Sequence, residues 1–364
     1  RRWLRQDGDG WTEMTGAEMG AAAGRMALED AGVDPADVDL VIYGTLNPDV
    51  QFPGNGVFVE DLLGMKTAGA MDIRNQCTGF VYGLAAADGF IRAGTARTVL
   101  VIGGEIHSTG LNVSTEGRDI AALFGDGAGA AVVQATDEDR GVIASVLHSQ
   151  GRFARELWCE APVANRQNRV TTDMLEDGRH FPFMNGTMVF KHATRRFCEA
   201  IGEVLAKGGV QADEVKLFIP HQANQRITDA VASRLGAGPD RVYSNIAKYG
   251  NTSAASIPLA LSVACENGQI RKGDLIVTEA IGGGLAWMVT YPQHAGLPPE
   301  WDMPTAMACA AEVEAAQADA RLPAGDVAQL AVPAVDGRAQ VAVTVAVVCP
   351  GIADPSIIDL PPEH

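Results

Sequence analysis

With 364 residues, 47% of them apolar and 20% charged, the chain is long for one compact domain and can bury a sizeable core, which excludes global disorder. Lys plus Arg number 28 against 45 Asp plus Glu, and the resulting net charge of −17 argues against nucleic acid as the main partner and against an anionic membrane face. Any anionic ligand must therefore be met by a local basic cluster. No run approaches the eighteen or so apolar residues of a spanning helix, and the N-terminus lacks a signal-peptide pattern. The expected setting is soluble and cytoplasmic. The cysteines (Cys77, Cys159, Cys198, Cys265, Cys309 and Cys349) are scattered, with no C-x-x-C pair and no His at zinc-ligand spacing, so most are expected to pack as small buried hydrophobes.

In chain order, the spacing of Met19, Ala22, Met26 and Leu28 predicts an amphipathic helix over 15–31. Residues 38–43 (VDLVIY), 70–73, 98–102 and 130–133 read as buried strands, with a small-residue helix over 79–93 between them. The pattern then begins again: a strand over 142–147, a helix over 186–205, a strand over 217–219, helices over 227–235 and 254–266, and a strand over 275–279. This alternation predicts an α/β fold of two similar halves, residues 1–137 and 138–293. Residues 151–184 are polar and irregular, as an insertion or a lid would be. From residue 294 the composition shifts to a linker, an Ala/Glu-rich helix over 306–321 and a strand signal in QVAVTVAVV at 340–348.

Chemistry concentrates in a few segments. In MDIRNQCTGF a strand ends in a polar turn and Cys77 precedes a helix start, where unpaired N–H groups and the helix dipole favour a thiolate and hold an oxyanion. Taken alone, such a cysteine is more often structural. His221, in LFIPHQANQ, follows an apolar strand and a proline; Asn251, in YGNTSAASIP, precedes a helix start. Each alone would be an ordinary buried or capping residue. The glycines of EAIGGGLAW let backbone amides approach a ligand, while FGDGAGA is a structural turn whose Asp126 is satisfied by backbone amides. Together a Cys, a His, an Asn and an amide-donating loop make a coherent thioester site, with Cys77 as nucleophile and His221 and Asn251 donating to a second carbonyl as it gains charge.

The order QCTGF, FGDGAGA, PHQAN, YGNTSAASIP and GGG closely resembles the β-ketoacyl-[acyl carrier protein] synthase III family of the thiolase-like superfamily, over residues 1–291. The resemblance implies a duplicated five-layered αβαβα fold and a homodimer. It implies that Cys77 takes an acyl group from acyl-CoA, that His221 and Asn251 promote decarboxylation of malonyl-acyl carrier protein, and that backbone amides of Cys77 and Gly283 form the oxyanion hole. The activity it implies is a decarboxylative condensation giving a 3-oxoacyl product, with no metal or redox cofactor. Phe52 matches a position that projects into the partner subunit's acyl pocket, and Phe124 and Met184 match pocket walls. Arg118 and Arg226 match positions near the CoA phosphates and pantetheine entrance. Lys191, Arg195, Arg196, Arg226 and Arg234 are expected to form the carrier-protein docking patch.

Against the family pattern, the first strand and a CoA-stacking tryptophan segment are missing from the front. The tail over 294–364 is additional, and its QVAVTVAVV run offers a strand for the sheet edge so exposed. The segment RELWCEAP…GRHFPFMNG resembles an insertion of one branch of the family, which puts acetyl-CoA as primer in question, and Ile281 and Leu285 stand where some relatives carry aromatics. The rival readings are an acyltransferase of the same fold that acts without decarboxylation, a Cys-His-Asn hydrolase, and a non-catalytic partner subunit. Release of CO2 separates the first. The glycine triplet counts against the second, and the joint presence of Cys77, His221 and Asn251 against the third.

Overall fold

A computed structural model describes residues 4–7, 10–137, 140–294 and 340–346. The strands are β1 Leu4–Asp7, β2 Gly10–Glu13, β3 Leu40–Gly44, β4 Gly69–Ile73, β5 Thr98–Glu105, β6 Gly127–Thr136, β7 Arg140–Ser149, β8 Leu157–Trp158, β9 Phe183–Met184, β10 Leu217–Pro220, β11 Ile276–Gly282, β12 Ala286–His294 and β13 Gln340–Ala346. The helices are α1 Gly16–Ala31, α2 Asn55–Leu62, α3 Gly79–Arg92, α4 Arg118–Ala121, α5 Thr172–Glu176, α6 Gly186–Gly208, α7 Gln225–Leu235, α8 Ile246–Tyr249 and α9 Ser256–Glu266.

Two sheets organise these elements. One runs β13-β6-β5-β3-β4, with β3, β4 and β5 parallel and β6 and β13 antiparallel to their neighbours; the other runs β10-β11-β12-β7. A strand at the centre of such a sheet is covered on both faces and reads as an unbroken apolar run. Thr98–Glu105, buried at every position, is that strand. The helices α3 and α9 lie between the sheets: Phe80, Val81 and Leu84 of α3 and Ile257 and Leu261 of α9 share one core with Ile42, Val99 and Val101 on one side and Leu217, Ile219 and Ile276 on the other. Outside the first sheet, Ala23, Ala27 and Leu28 of α1 and Val59 of α2 pack on Val41, Tyr43, Leu100 and Ile102. Outside the second, Phe197, Ile201 and Val204 of α6 and Ile227 and Val231 of α7 pack on Phe218, Val277 and Ile281. The stacking is therefore αβαβα, as the resemblance implies.

Local signals set the helix ends. Thr15 and Glu18 form a reciprocal capping box at the start of α1, and Gly32 closes it with φ 65°. Asn185 caps α6 by accepting from the Met188 amide. The predicted helix over 254–266 begins instead with a tight turn, Ser253–Ala255, before α9. Helix α2, strand β12 and the β1–β2 pair were not foreseen.

The run read as a strand at the far end of the chain is one. All of Gln340–Ala346 pairs antiparallel with β6, from Gln340 opposite Thr136 to Ala346 opposite Ala130, and forms the edge of the first sheet. The expected helix over 306–321, Trp3, Cys309 and Cys349 lie outside the described residues. Cys77 and Cys198 are buried as anticipated, but Cys159 and Cys265 are exposed. Cys159 stands on the irregular insertion and Cys265 near the end of α9, so neither is enclosed by a second layer.

Candidate active site

Cys77 occupies the centre of a single tight turn, Gln76–Thr78, that leads from β4 into α3. That turn can press against the end of β3 only because both contacting residues lack side chains: a Cβ on Gly44 would stand 2.6 Å from the Gly79 carbonyl carbon. The glycine loop after β11 closes on the turn from the other side, with a Cβ on Gly282 only 3.0 Å from the Cys77 nitrogen. Glycine backbone therefore packs directly on the Cys77 turn from two sides, close enough for main-chain amides to reach a group bound at the thiol.

Among the described residues the non-glycine positions with positive φ are Gln76 (47°), Ser253 (50°) and Leu285 (45°). Two of them are at the Cys77 turn, Gln76 opening it and the Ser253 hydroxyl hydrogen-bonding Cys77 Sγ at 3.4 Å, while Leu285 ends the turn that carries the glycine loop. Such conformations cost energy and persist only where surrounding packing enforces them.

His221 stands just past the end of β10, where its backbone N–H donates to the Glu279 carbonyl at 2.7 Å. Its Nδ1 lies 2.5 Å from Ser256 Oγ, which also takes the Gln222 N–H at 3.4 Å. Nδ1 is thereby taken by the serine, and Nε2 is the ring nitrogen left for a substrate. Burial, reinforced by nearby His107, pushes the imidazole down to about 3, so the His221 ring is neutral. Asn251 is clamped by its backbone between Leu123 and Gly125, and its Oδ1 accepts from the Ser253 N–H at 2.9 Å. Its amide NH2 remains as the group able to donate to a substrate.

Cys77, His221 and Asn251 line one cavity of about 890 Å³. Phe124, Met184, Arg226 and Ile281 also face it, and the irregular segment contributes Leu157, Phe181 and Phe183, so that segment walls the cavity. Gly283 is buried, and a Cβ there would stand 3.4 Å from the Gln76 side chain of the Cys77 turn. Three other residues singled out by the sequence stand apart from the lining. Arg118 is exposed between the lining residues Gly117 and Asp119, Lys191 is exposed on α6 next to the lining residue Phe190, and Phe52 is 83% exposed in the turn before α2.

The expected docking patch is modified by the geometry. Arg195 and Arg196 are partly buried and both bind Glu199, at 2.8 and 2.6 Å, so they supply field rather than free contacts. After burial, the nearby cations Arg196, Lys191, Arg195 and Arg152 all push the His192 pKa down. A basic locus therefore flanks the cavity on a chain of net charge −17.

The thiol differs from expectation in one respect. The helix start was expected to favour a thiolate, yet burial pushes Cys77 up to about 12, with the Ser253 hydrogen bond opposing that rise. Cys77 is 6% exposed, and desolvation of the anion outweighs the nearby dipoles. Sequence reasoning also passed over Glu105, Ser253 and Ser256. The serines sit inside the quoted YGNTSAASIP. Glu105 was signalled by a lone acid closing the apolar run TVLVIGG, where an ionisable group needs a reason to be buried.

Two family descriptions match the chain: 3-oxoacyl-[acyl-carrier-protein] synthase III over residues 71–151, and its C-terminal part over residues 205–292. The chain is 43% identical over 275 residues to the beta-ketoacyl-[acyl-carrier-protein] synthase III of Sphingopyxis alaskensis, covering 75% of this chain and 82% of that protein. Among solved structures, 3-oxoacyl-[acyl-carrier-protein] synthase III from Aquifex aeolicus VF5 superposes with a TM-score of 0.70 at 39% identity, covering 78% of this chain and 86% of that one. The priming beta-ketosynthase from the R1128 polyketide biosynthetic pathway superposes with a TM-score of 0.69 at 34% identity, covering 78% and 83%.

Proposed function

Because the chain belongs to the 3-oxoacyl-[acyl-carrier-protein] synthase III family, we propose that the Cys77 cavity is the seat of that family's chemistry and that Cys77, His221 and Asn251 divide the work. The protein is a condensing enzyme that joins an acyl-CoA primer to malonyl-acyl carrier protein, as in fatty acid biosynthesis. In the first half-reaction Cys77 Sγ attacks the acyl-CoA carbonyl, the amides of Cys77 and Gly283 hold the oxyanion, and CoA leaves. In the second, malonyl-acyl carrier protein enters the emptied cavity. His221 Nε2–H and the Asn251 amide donate to its thioester oxygen, CO2 departs, and the enolate carbon attacks the acyl-cysteine. The transfer of the acyl group makes the enzyme an acyltransferase.

The observation that carries this division is what the neighbours leave free: Ser256 takes His221 Nδ1 and the Ser253 amide takes the Asn251 oxygen, so Nε2 and the Asn251 NH2 are the groups left for a thioester oxygen in the cavity. Neither group is a base, and both suit a developing enolate. Arg226, with its guanidinium 5.6 Å from the Phe190 ring centre at the cavity wall, takes the phosphopantetheine or CoA phosphate together with Arg118. Lys191 is the exposed contact for the acidic carrier protein. Phe124 and Met184 shape the acyl pocket, and exposed Phe52 reaches the pocket of a second subunit in a cytoplasmic homodimer.

The test is product analysis with malonyl-acyl carrier protein and an acyl-CoA mixture. The expected result is CO2 release and a 3-oxoacyl adduct on the carrier protein, both lost in Cys77→Ala. Acyl transfer without CO2 release would overturn the condensation reading in favour of a non-decarboxylating acyltransferase. In His221→Ala and Asn251→Ala, malonyl decarboxylation is expected to fall by about 10²- to 10³-fold while acylation of Cys77 persists.

A further inference from the structure

The irregular segment that walls the cavity is fastened at its base by one pair of residues. Strands β8 and β9 pair antiparallel, Leu157 opposite Met184 and Trp158 opposite Phe183, so residues 157–184 form a loop closed at its neck. Glu156 and Asn185 stand just outside that neck. The Asn185 N–H donates to the Glu156 carbonyl at 2.7 Å, and Asn185 Nδ2 donates to Glu156 Oε2 at 2.8 Å. A hydrogen bond of that length to a carboxylate is of the stronger, charge-assisted kind. The other end of the amide serves α6: Asn185 Oδ1 accepts the Met188 N–H at 3.3 Å. Only this orientation of the amide suits both partners, since the carboxylate can only accept and the N–H can only donate.

The elements that this pair joins both reach the reacting centre. From α6, Val189 and Phe190 line the cavity, and from the loop Leu157 and Met184 do. The Leu157 backbone also abuts the glycine loop, where a Cβ on Gly283 would stand 2.8 Å from the Leu157 carbonyl oxygen. Ahead of the neck, the Gln150 N–H donates to the Leu285 carbonyl at 3.2 Å, at the end of the same glycine turn. Strand β8 therefore stands between the α6 cap and Gly283. Within the loop, Arg179 binds Glu160, Asp173 and Asp177 at 3.3, 2.6 and 3.4 Å, which sets the loop's shape but not its place. Arg169 reaches outward to Gln51 at 2.7 Å, but both side chains are exposed.

We propose that Glu156 is a positioning and specificity-determining residue: through Asn185 it sets where β8 stands between α6 and Gly283, and with it the depth of the acyl pocket and the place of the Gly283 amide. The proposal rests on Cys77 being the acyl-accepting nucleophile of this cavity. Glu156 is not among the cavity-lining residues, so it acts through Leu157 and Asn185 and not by touching substrate.

The direction of the hydrogen bond supplies the test. Asn185→Asp keeps the α6 cap, because a carboxylate oxygen also accepts the Met188 N–H, but it sets two carboxylates against each other. Adding Glu156→Gln reverses the bond, with the glutamine amide donating to the aspartate. Glu156→Ala breaks the bond by a second route, without the like-charge contact. Each variant is compared with wild type in single-turnover acylation of Cys77, read by intact mass over a concentration series of acyl-CoAs from acetyl to dodecanoyl. Asn185→Asp and Glu156→Ala are expected to lose about 10-fold in the limiting rate with the preferred chain, and to shift the long-to-short rate ratio by about fivefold or more. The double variant Glu156→Gln with Asn185→Asp is expected to return both quantities to within about twofold of wild type. An equal loss at every chain length, an unchanged profile in the single variants, or a double variant no better than Asn185→Asp would overturn the assignment. Absence of an acyl adduct on Cys77 in the wild type would instead overturn the functional reading on which it rests.

Discussion

At the scale of single residues, the site is governed by which hydrogen each donor is obliged to present. Ser256 is the clearest case, because its hydroxyl pairs with Nδ1 of His221 and is not among the residues lining the cavity. Ser256→Ala releases that constraint, and we expect malonyl decarboxylation to fall by about 10-fold or more while Cys77 acylation is retained. Equal loss in both half-reactions would point instead to damage of the α9 start. Buried His221 makes a second prediction. Its pKa is depressed from 6.5 to about 3, so the folded state favours the neutral ring. The stability this implies is present above about 6.5 and is lost as the pH falls toward 3. Glu279 acts in the opposite sense over the same range, so the decline is read as a difference: the stability of wild type relative to His221→Asn, by chemical denaturation, should shrink from pH 7 to pH 4, and a constant difference would contradict it.

At the scale of elements, strand β11 carries a group that the mechanism does not use. Glu279 sits between Val277 and Ile281 on the face turned to α6 and α7, fully buried, with both oxygens unpartnered among the described residues. Burial pushes its pKa from 4.5 up to about 8. The folded state therefore binds a proton that the unfolded chain has lost, and stability falls as the pH rises from about 4.5 toward 8, by on the order of 1.4 kcal/mol per unit of pH. Glu279→Gln should flatten the denaturation profile over that range; an unchanged slope would mean that the acid is satisfied by a partner such as water. The central elements, including β5, α3 and α6, were legible because burial on one or both faces imposes a period on the sequence. Helix α2 was missed because its short stretch NGVFVEDL mixes exposed Val57, Phe58 and Leu62 with buried Asn55 and Val59, which inverts the usual pattern. The motifs of the candidate site were legible as strings, but not the contact between Ser253 and Cys77, which joins residues far apart in the chain.

At the scale of the whole molecule, five layers bring the Cys77 turn, the His221 loop and the Asn251 loop to one cavity, with α3 and α9 starting there between the two sheets. The first sheet is closed at its edge by β13 from the far end of the chain. An unpaired β6 edge would expose a row of backbone donors and acceptors, which favours association. Truncation after His294 is accordingly expected to lower the melting temperature and to cause concentration-dependent association in sedimentation. A truncated chain as stable and as monodisperse as the full one would show that β13 contributes nothing. Overall charge sets a further constraint: at −17, an acidic carrier protein has to be met by a local basic cluster, which the proposed function places at Lys191 and Arg226. Lys191→Glu with Arg226→Glu should raise KM for malonyl-acyl carrier protein by about 10-fold or more and leave iodoacetamide alkylation of Cys77 unchanged. The most direct test of the whole account is intact mass after incubation with acyl-CoAs from acetyl to dodecanoyl, followed by peptide mapping and then a chase with malonyl-acyl carrier protein. The account predicts a single acyl adduct on Cys77 that disappears in the chase as CO2 and a 3-oxoacyl carrier protein are formed. An adduct on another cysteine, or one on Cys77 that survives the chase, would contradict it.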